Sequence, residues 1–545
     1  MGGPLGHPVI CRYAMKGQMM KTKNPQVIQM TDDSVIYSYY ARERPTAKDL
    51  EDVIDIYARA GVNALSHCIH CRFQAYYDSK VVEVAGDLTP EGVEPWRHVH
   101  YWHWLTALRR LIADGNDPPK VLAARCHQHG MRFLPCFRLN DQHGFEPNQA
   151  IYGSFRRDHP EWRIDKRAMD YGVSDVREHV LTVAREVCQG YDIDGLDLDF
   201  QRWPVFFKSD EVKANTPLMT AFVKEIRAYL DEAGKRLNRS MLLSVRVPIK
   251  IGRGQVINAP VRHRDLECLG VGLDVPTWIK EGLVNIVCPM AFLANQWPDM
   301  IAHMAQWREL TQDTDCSLHP TIHRNLAWPV KPYDSPYVSR ASYRGAAHSY
   351  YRHGADGIAL YNLWDNDKVS WETVPDLGNP SALGAKPRRY HVYLDDPVLI
   401  NKGERKTFEL FLPEDPQDAD QRPHLRFYAA NLTLEHRIEI DINGTKVDPG
   451  TLTLDRIKSG GLSGAPKMPY GYLVSFPLAH TSTRTGSNEL GIKVIEINPE
   501  LSQLTKVYTV PESAGGIAVG LIETLFGYPA GLPAAPVHAN LDPLD

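Results

Sequence analysis

The 545-residue chain has no cysteine after residue 316, no run close to the ~18 apolar residues of a membrane span, and no excess of positive charge. Its formal net charge of -5 gives no general attraction to nucleic acid or to an anionic membrane, so neither is expected as a partner. The first residues, Met1-Gly-Gly-Pro-Leu-Gly-His-Pro8, lack a charged segment followed by an apolar core, and no secretory signal is expected there. Gly-rich phosphate turns and internal repeats are missing too, which removes the fingerprint of dinucleotide binding and that of a solenoid. The nine cysteines (positions 11, 68, 71, 126, 136, 188, 268, 288 and 316) are odd in number and mostly lie within apolar strand or helix patterns. They read as buried reduced thiols rather than a disulfide framework, and a cytoplasmic location is the expectation.

The rest of the composition is that of a globular protein, with 43% hydrophobic and 23% charged residues, and the length suggests two domains. Strand-like runs occur at Val35–Ala41, Val62–His70, Arg132–Leu139, Gly195–Gln201, Met241–Val247, Val284–Ala291, Ser317–His323 and Gly357–Leu363. Helical patterns separate them, at Ala47–Ala60, Trp102–Gly130 in two pieces, Ser174–Gln189, Pro217–Leu237 and Arg340–His353. Ser174 and Thr216-Pro217 are the expected starts of two of these helices. Eight strands alternating with helices is the count of a (β/α)8 TIM barrel, with a doubly wound sheet as the alternative. Beyond Leu377–Pro387 the pattern changes to period-two runs with turn signals such as Asn443-Gly444, as in an all-β sandwich. The expected division is residues 1–34 as an extension, 35–380 as the barrel, 388–528 as the sandwich and 529–545 as a Pro- and Ala-rich tail.

One stretch stands out within the barrel pattern, Gly190 to Pro204. As a strand it turns Leu196, Leu198 and Phe200 to one face and Asp197, Asp199 and Gln201 to the other. Same-face neighbours lie about 6.6 Å apart, so the two aspartates feel each other's charge. A face with two acids and an amide suits a working site at the C-terminal end of a barrel strand.

Cationic side chains gather at other predicted strand ends: His70 and Arg72, Arg138, Arg246, and His323. Such a mouth suits an anionic substrate, or else neutralises its own carboxylates. Tyr40, Trp203 and Trp364 stand near the same rim and suit either stacking on sugar faces or packing. The Cys68–Cys71 segment, with His70 between, invites a metal reading. Strand alternation splits it between two faces and no second ligand pair follows, so no metal is expected.

The segment "DGLDLDFQRWP" resembles the fourth-strand signature of barrel glycoside hydrolases. It is similar to the "DGxxxDyxRyP" pattern of the glycosyl-hydrolase-like GHL10 family, with Asp194, Gly195, Asp199, Arg202 and Pro204 in the matching places. The preceding "RDHPEWRI" and "MDYGVSDVREHVLTVAREVCQGYDIDG" resemble that family's approach to the strand. The resemblance implies hydrolysis of a poly- or oligosaccharide without an organic cofactor, and the cationic mouth suits a sulfated or uronic one. In alpha-amylase-like barrels a similar strand ends in the nucleophile, and that position is Asp199. In chitinase-like barrels it ends in a glutamate acid, where this chain has Gln201. Asp199 is therefore the candidate nucleophile or base and Asp197 its modulator, while Asp141 and Asp365 are candidates for the acid. Gln201, Arg202 and Trp203 are candidate substrate contacts beside His70, Arg72, Arg138, Arg246, His323, Tyr40 and Trp364. An Asp199→Asn variant is expected to lose hydrolysis and keep its thermal melt. In the second region, "IDINGTKV" and "TGSNELGIKV" resemble galactose-binding-like modules. The alternatives are a non-catalytic carbohydrate-binding barrel, suggested by Gln201, and a metal-assisted polysaccharide deacetylase. Oligomeric state is left open.

Overall fold

The computed structural model describes residues 26–32, 44–86, 99–143, 151–165, 167–252, 266–290, 297–323, 340–363, 368–392, 394, 397–456, 471–479, 481–498 and 516–528. Its first region is a curled parallel sheet built from β1 (Val27–Thr31), β2 (Ala64–Cys71), β3 (Cys136–Arg138), β4 (Gly195–Asp199), β5 (Leu242–Pro248), β6 (Ile286–Met290), β7 (Ser317–Leu318), β8 (Thr321–His323) and β9 (Ile358–Tyr361). Parallel pairing runs from β1 through β2, β3, β4, β5 and β6 to β7. It continues separately from β8 to β9 and from β9 back to β1. Only His319-Pro320 separates β7 from β8, so one predicted strand pairs with β6 by its first half and with β9 by its second. The result is barrel-like, with helices between the strands.

Local pattern accounts for the packing. Leu196, Leu198 and Phe200 are fully buried in the main core, with Val180, Val183 and Val187 of helix Ser174–Gly190 and Phe222, Ile226 and Leu230 of helix Val212–Leu237. Each such side chain contributes roughly 1.5–3 kcal/mol by leaving water. The longer helix ends at Asn238, whose φ of 52° gives the left-handed turn that stops it.

Three expectations need correction. The strand pairing with β2 and β9 is Val27–Thr31, which falls inside the expected N-terminal extension; Val35–Ala41 lies outside the described residues. Polar Gln29 and Thr31 interrupt that short run, and so hide it from a search for apolar stretches. Helix Val212–Leu237 begins before Pro217, which sits inside it, while the Thr216 hydroxyl donates back to the Val212 carbonyl at 2.8 Å. Ser174 is the first helical residue rather than the cap, which is Val173. Among the described residues no helix is long and apolar enough to cross a membrane.

The second region is antiparallel. A six-stranded sheet is organised on Gly516–Phe526 and a four-stranded one on Gly486–Glu496. Phe427, Val474 and Ile522 of the first share one core with Leu410, Ile442 and Ile492 of the second. Helix Arg340–Arg352 lies between this region and the parallel sheet. It approaches strand Arg388–Val392 so closely that a Cβ at Gly345 would collide with the Arg389 carbonyl.

Candidate active site

Register on the parallel sheet builds the site. Asp199 closes β4, opposite Arg138 on β3 and opposite Arg246 on β5. Adjacent strands are about 4.8 Å apart, so three charged side chains on one face must meet. The Asp199 carboxylate is fully buried. Its Oδ1 accepts from Arg246 Nε at 3.1 Å and from the backbone N–H groups of Gln201 and Arg202, each at 3.0 Å. Its Oδ2 accepts from Arg138 Nε at 3.3 Å and from a second nitrogen of Arg246.

Arg138 is the hub. Besides Asp199 it donates to Asp141 at 3.0 Å and to Asp32, so one guanidinium joins three carboxylates. Tyr361 on β9 donates its hydroxyl to Asp32 at 2.7 Å, and the Arg246 guanidinium lies over its ring at 3.8 Å from the centroid. Asp141 also faces Arg72 at 3.7 Å and His143 at 2.8 Å. Burial alone would push the Asp141 carboxyl up; His143, Arg138 and Arg72 outweigh it and hold the group well below the usual carboxylate range. Burial likewise opposes ionisation of Asp32, and Arg138 and Arg202 overcome it.

Asp197 sits one step inward on β4, where the Ser66 hydroxyl donates to it at 2.8 Å. Burial raises its carboxyl above the ordinary value; Ser244, Ser66 and Arg246 act to lower it, and the charge of Asp199 adds to the rise. Gln201 is fully buried, and its side-chain amide has no hydrogen-bond partner among the described residues. His143 bridges Asp141 and Arg202, with Nδ1 at 2.8 Å from the carboxylate and Nε2 at 3.0 Å from the guanidinium. Trp203 lies edge-on to His143 at 5.7 Å and beneath the Arg202 guanidinium. His323 packs its ring 5.4 Å from that of Tyr361.

Four non-glycine residues here have left-handed backbones: Arg72 (φ 54°), Phe73 (φ 63°), Trp203 (φ 62°) and Asn362 (φ 53°), whose side-chain oxygen accepts from the Asp32 N–H. Such residues are strained, and strain of this kind concentrates where function holds the chain in place. The turn after β2 is what carries Arg72 toward Asp141.

Of the sequence candidates, Asp141, Asp197, Asp199, Arg72, Arg138, Arg202, Trp203, Arg246, Gln201 and His323 thus gather at or just inside the strand ends. His70 does not. The register shifts between Cys68 and His70, so the residue after the bulge turns to the helix side. There its ring is buried among Phe73, Phe137 and His179. Tyr40, Trp364 and Asp365 lie outside the described residues. Asp32, Tyr361 and His143 were not among the candidates. Asp32 lay in the presumed extension, Tyr361 in an apolar strand, and His143 stood two residues past Asp141 with only that spacing as a signal. Among the described residues no three His, Cys, Asp or Glu side chains are grouped to hold a metal ion, and the eight described cysteines are buried free thiols.

No known protein family matches the chain, and no curated protein does. Among solved structures it is similar to alpha-L-fucosidase isoenzyme 2 from Paenibacillus thiaminolyticus, at 10% identity and a TM-score of 0.40. That match covers 67% of this chain and 51% of the fucosidase, so this chain spans about half the length of that neighbour. The endo-beta-1,4-mannanase from Thermotoga petrophila is 10% identical with a TM-score of 0.42, covering 93% of this chain and 99% of the mannanase. GH36 alpha-galactosidase AgaB from Geobacillus stearothermophilus is 11% identical with a TM-score of 0.34, covering 87% and 56%. All three are glycosidases by name. At these TM-scores the likenesses carry no argument about what this chain does.

Proposed function

We propose that the protein is a glycoside hydrolase acting on an anionic, sulfated or uronic, poly- or oligosaccharide. In this reading the curled sheet is a (β/α)8 barrel, the antiparallel region is a β-sandwich, and the chain is kin to the GHL10 barrels that its fourth strand resembles. The observation that carries it is the cluster at the strand ends. Asp32, Asp141 and Asp199 surround one guanidinium, with Arg72, Arg202 and Arg246 beside them. Paired carboxylates are what glycoside hydrolysis uses, and arginines are what hold sulfate or carboxylate groups. Asp199 is the nucleophile or base. Its five hydrogen bonds must loosen before it can react, and an anionic sugar that engages Arg246 or Arg138 would free one oxygen.

A panel of neutral, sulfated and uronic polysaccharides, with Asp199→Asn as control, tests this. Reducing ends released only from charged polymers, and only by the wild type, are expected. Equal release by the variant removes Asp199 from the chemistry. A second reading is a non-catalytic carbohydrate-binding barrel, favoured by the saturated carboxylate of Asp199 and by Gln201 in the place of an acid. Saccharide affinity without bond cleavage across the panel would favour it. The deacetylase alternative has no ligand group to support it among the described residues.

A further inference from the structure

Among the described residues the mouth of the site has no carboxylic acid: Asp197, whose carboxyl burial raises, sits one step inward on β4 and is buried. Asp141 is held as a carboxylate by His143, Arg138 and Arg72, Asp32 by Arg138 and Arg202, and Gln201 is no acid. His143 stands between these groups and the rim: its side chain is 37% exposed, whereas that of Asp141 is 0% exposed. Its partners decide where its proton sits. Arginine can only donate, so the 3.0 Å contact from Arg202 makes Nε2 an acceptor. Nδ1 then carries the hydrogen and donates it to Asp141 at 2.8 Å. A buried carboxylate thus orients the ring, and the second ring nitrogen is presented outward, as in other carboxylate–imidazole pairs that move protons. The charged groups around the ring are Asp141 and Arg202, with Arg138 and Arg72 behind the carboxylate and Arg156 donating to the His143 carbonyl at 3.3 Å.

We infer that His143 is the proton-transfer residue of this site, and that Arg202 keeps Nε2 occupied until an anionic group of the saccharide draws the guanidinium away. This rests on the glycoside hydrolase reading. Once released, Nε2 takes a proton from solvent, and Asp141 stabilises the imidazolium. The imidazolium gives that proton to the glycosidic oxygen as the anomeric C–O bond breaks, its electron pair passes to the oxygen, and an Asp199 oxygen bonds to the anomeric carbon. Neutral His143 then takes a proton from the water whose oxygen displaces Asp199 from that carbon. The sum is glycoside plus water giving two hydroxyl compounds; His143 is again an imidazolium, and its proton returns to solvent when the product leaves and Arg202 returns to Nε2.

Leaving-group dependence separates this role from the underlying reading. Phenyl and dinitrophenyl glycosides of the sugar found in the polysaccharide panel are compared in wild type and in His143→Gln, with thermal melts to verify folding. In kcat/KM, which reports the steps up to glycosidic cleavage, a general acid matters for the poor leaving group only, so the variant is expected to lose about 100-fold or more on the phenyl glycoside and less than about 3-fold on the dinitrophenyl one. Equal losses on both, or no loss, overturn the role of His143 while leaving the hydrolase reading standing. A wild type silent on every glycoside overturns both. Independently of activity, nitrogen NMR of the ligand-free protein is expected to report a protonated Nδ1 and a bare Nε2 in His143; the opposite tautomer overturns the assignment.

Discussion

Among the described residues, the buried arginine–carboxylate network at the strand ends and that at the junction between the regions differ in where they end. At the strand ends, Arg138 and Arg246 hold Asp199, Asp141 and Asp32, and the network runs outward to His143 and Arg202. At the junction between the regions, Arg388 grips Glu414 through two hydrogen bonds of 2.7 and 2.6 Å, and Arg426 donates to Glu523 at 2.5 Å. Arg389 and His391 approach the same Glu523 at 3.6 Å each, and Ser342 of the intervening helix bonds His391 at 2.9 Å. Arg388, Arg389, Arg426 and Glu523 are all at or below 1% exposure. Register sets this cluster as well, since Arg426 and His391 both stand opposite Glu523 on flanking antiparallel strands. The junction network closes on itself across the middle of strands. The other ends at a rim with partly exposed members and left-handed residues. The same chemistry is sealed inside the antiparallel region in one place, with the Ser342–His391 hydrogen bond tying it to the intervening helix, and leaves charged groups facing outward in the other.

The sharpest way to break the comparison is to remove one carboxylate from each network. Glu523→Gln strands Arg389 and Arg426 without a counter-charge in the interior, which costs about 3–5 kcal/mol in such pairs; urea denaturation should report that drop. Asp199→Asn does the same to Arg246, while Arg138 keeps Asp141 and Asp32, so a loss at the lower end of that range, about 3 kcal/mol, is expected alongside loss of hydrolysis. This revises the expectation of an unchanged melt, which treated Asp199 as a group without buried partners. A wild-type melt for Asp199→Asn would mean that its two arginines do not depend on it.

Acid sharpens the contrast next. Burial holds His391 down at about 4, from an ordinary 6.5, with Glu523 opposing and Arg389 and Arg426 adding to the drop. Between these values the unfolded chain binds the proton and the folded one does not. Stability therefore falls as pH falls through that window, by up to about 3 kcal/mol for this one group. Glu523 is held at about 2: burial works to raise it, and Arg426, Arg389 and His391 prevail. Its contribution is present above its ordinary 4.5 and is lost as pH falls from there toward 2. Melting temperature against pH should decline below 6.5, and His391→Gln should flatten the first part of that decline. An unchanged slope in the variant would assign the decline to other buried histidines.

A smaller effect is expected at Gly345, where even a methyl group meets the Arg389 carbonyl. Gly345→Ala should destabilise by about 1–3 kcal/mol, visible by calorimetry, without changing activity per folded molecule. The smallest stability change is expected for Arg202→Gln at the rim, about 1 kcal/mol for its lost hydrogen bond to His143. Its effect should instead be selective, weakening binding of sulfated or uronic saccharides relative to neutral ones in titration calorimetry. Equal weakening of both would remove Arg202 from recognition of charge.

Much of this arrangement was legible from local pattern. The period-two alternation of β4 put Leu196, Leu198 and Phe200 in the core and the two aspartates opposite them, as the structure has it. Alternating apolar runs and helical stripes likewise revealed the parallel sheet, and the change of texture near residue 380 revealed the antiparallel region. His70 was misplaced because a bulge, invisible in composition, inverts alternation midway along β2. Asp32 was missed because β1 is short and carries polar residues on a buried face.

By itself, then, the sequence determined most of the strands and helices seen here and the apolar face of β4, because those depend on residues two to four positions apart; β1 and the face of His70 escaped it. It did not determine what each charged side chain would meet. Arg138 finds Asp199 across 61 positions and Asp32 across 106, and Tyr361 finds Asp32 across 329. Only the lateral register of the parallel strands brings these groups within hydrogen-bond distance. That register turned Asp199 from a lone acid at a strand end into the anchor of two arginines, and brought the Arg202 guanidinium to His143 beside its sequence neighbour Asp141.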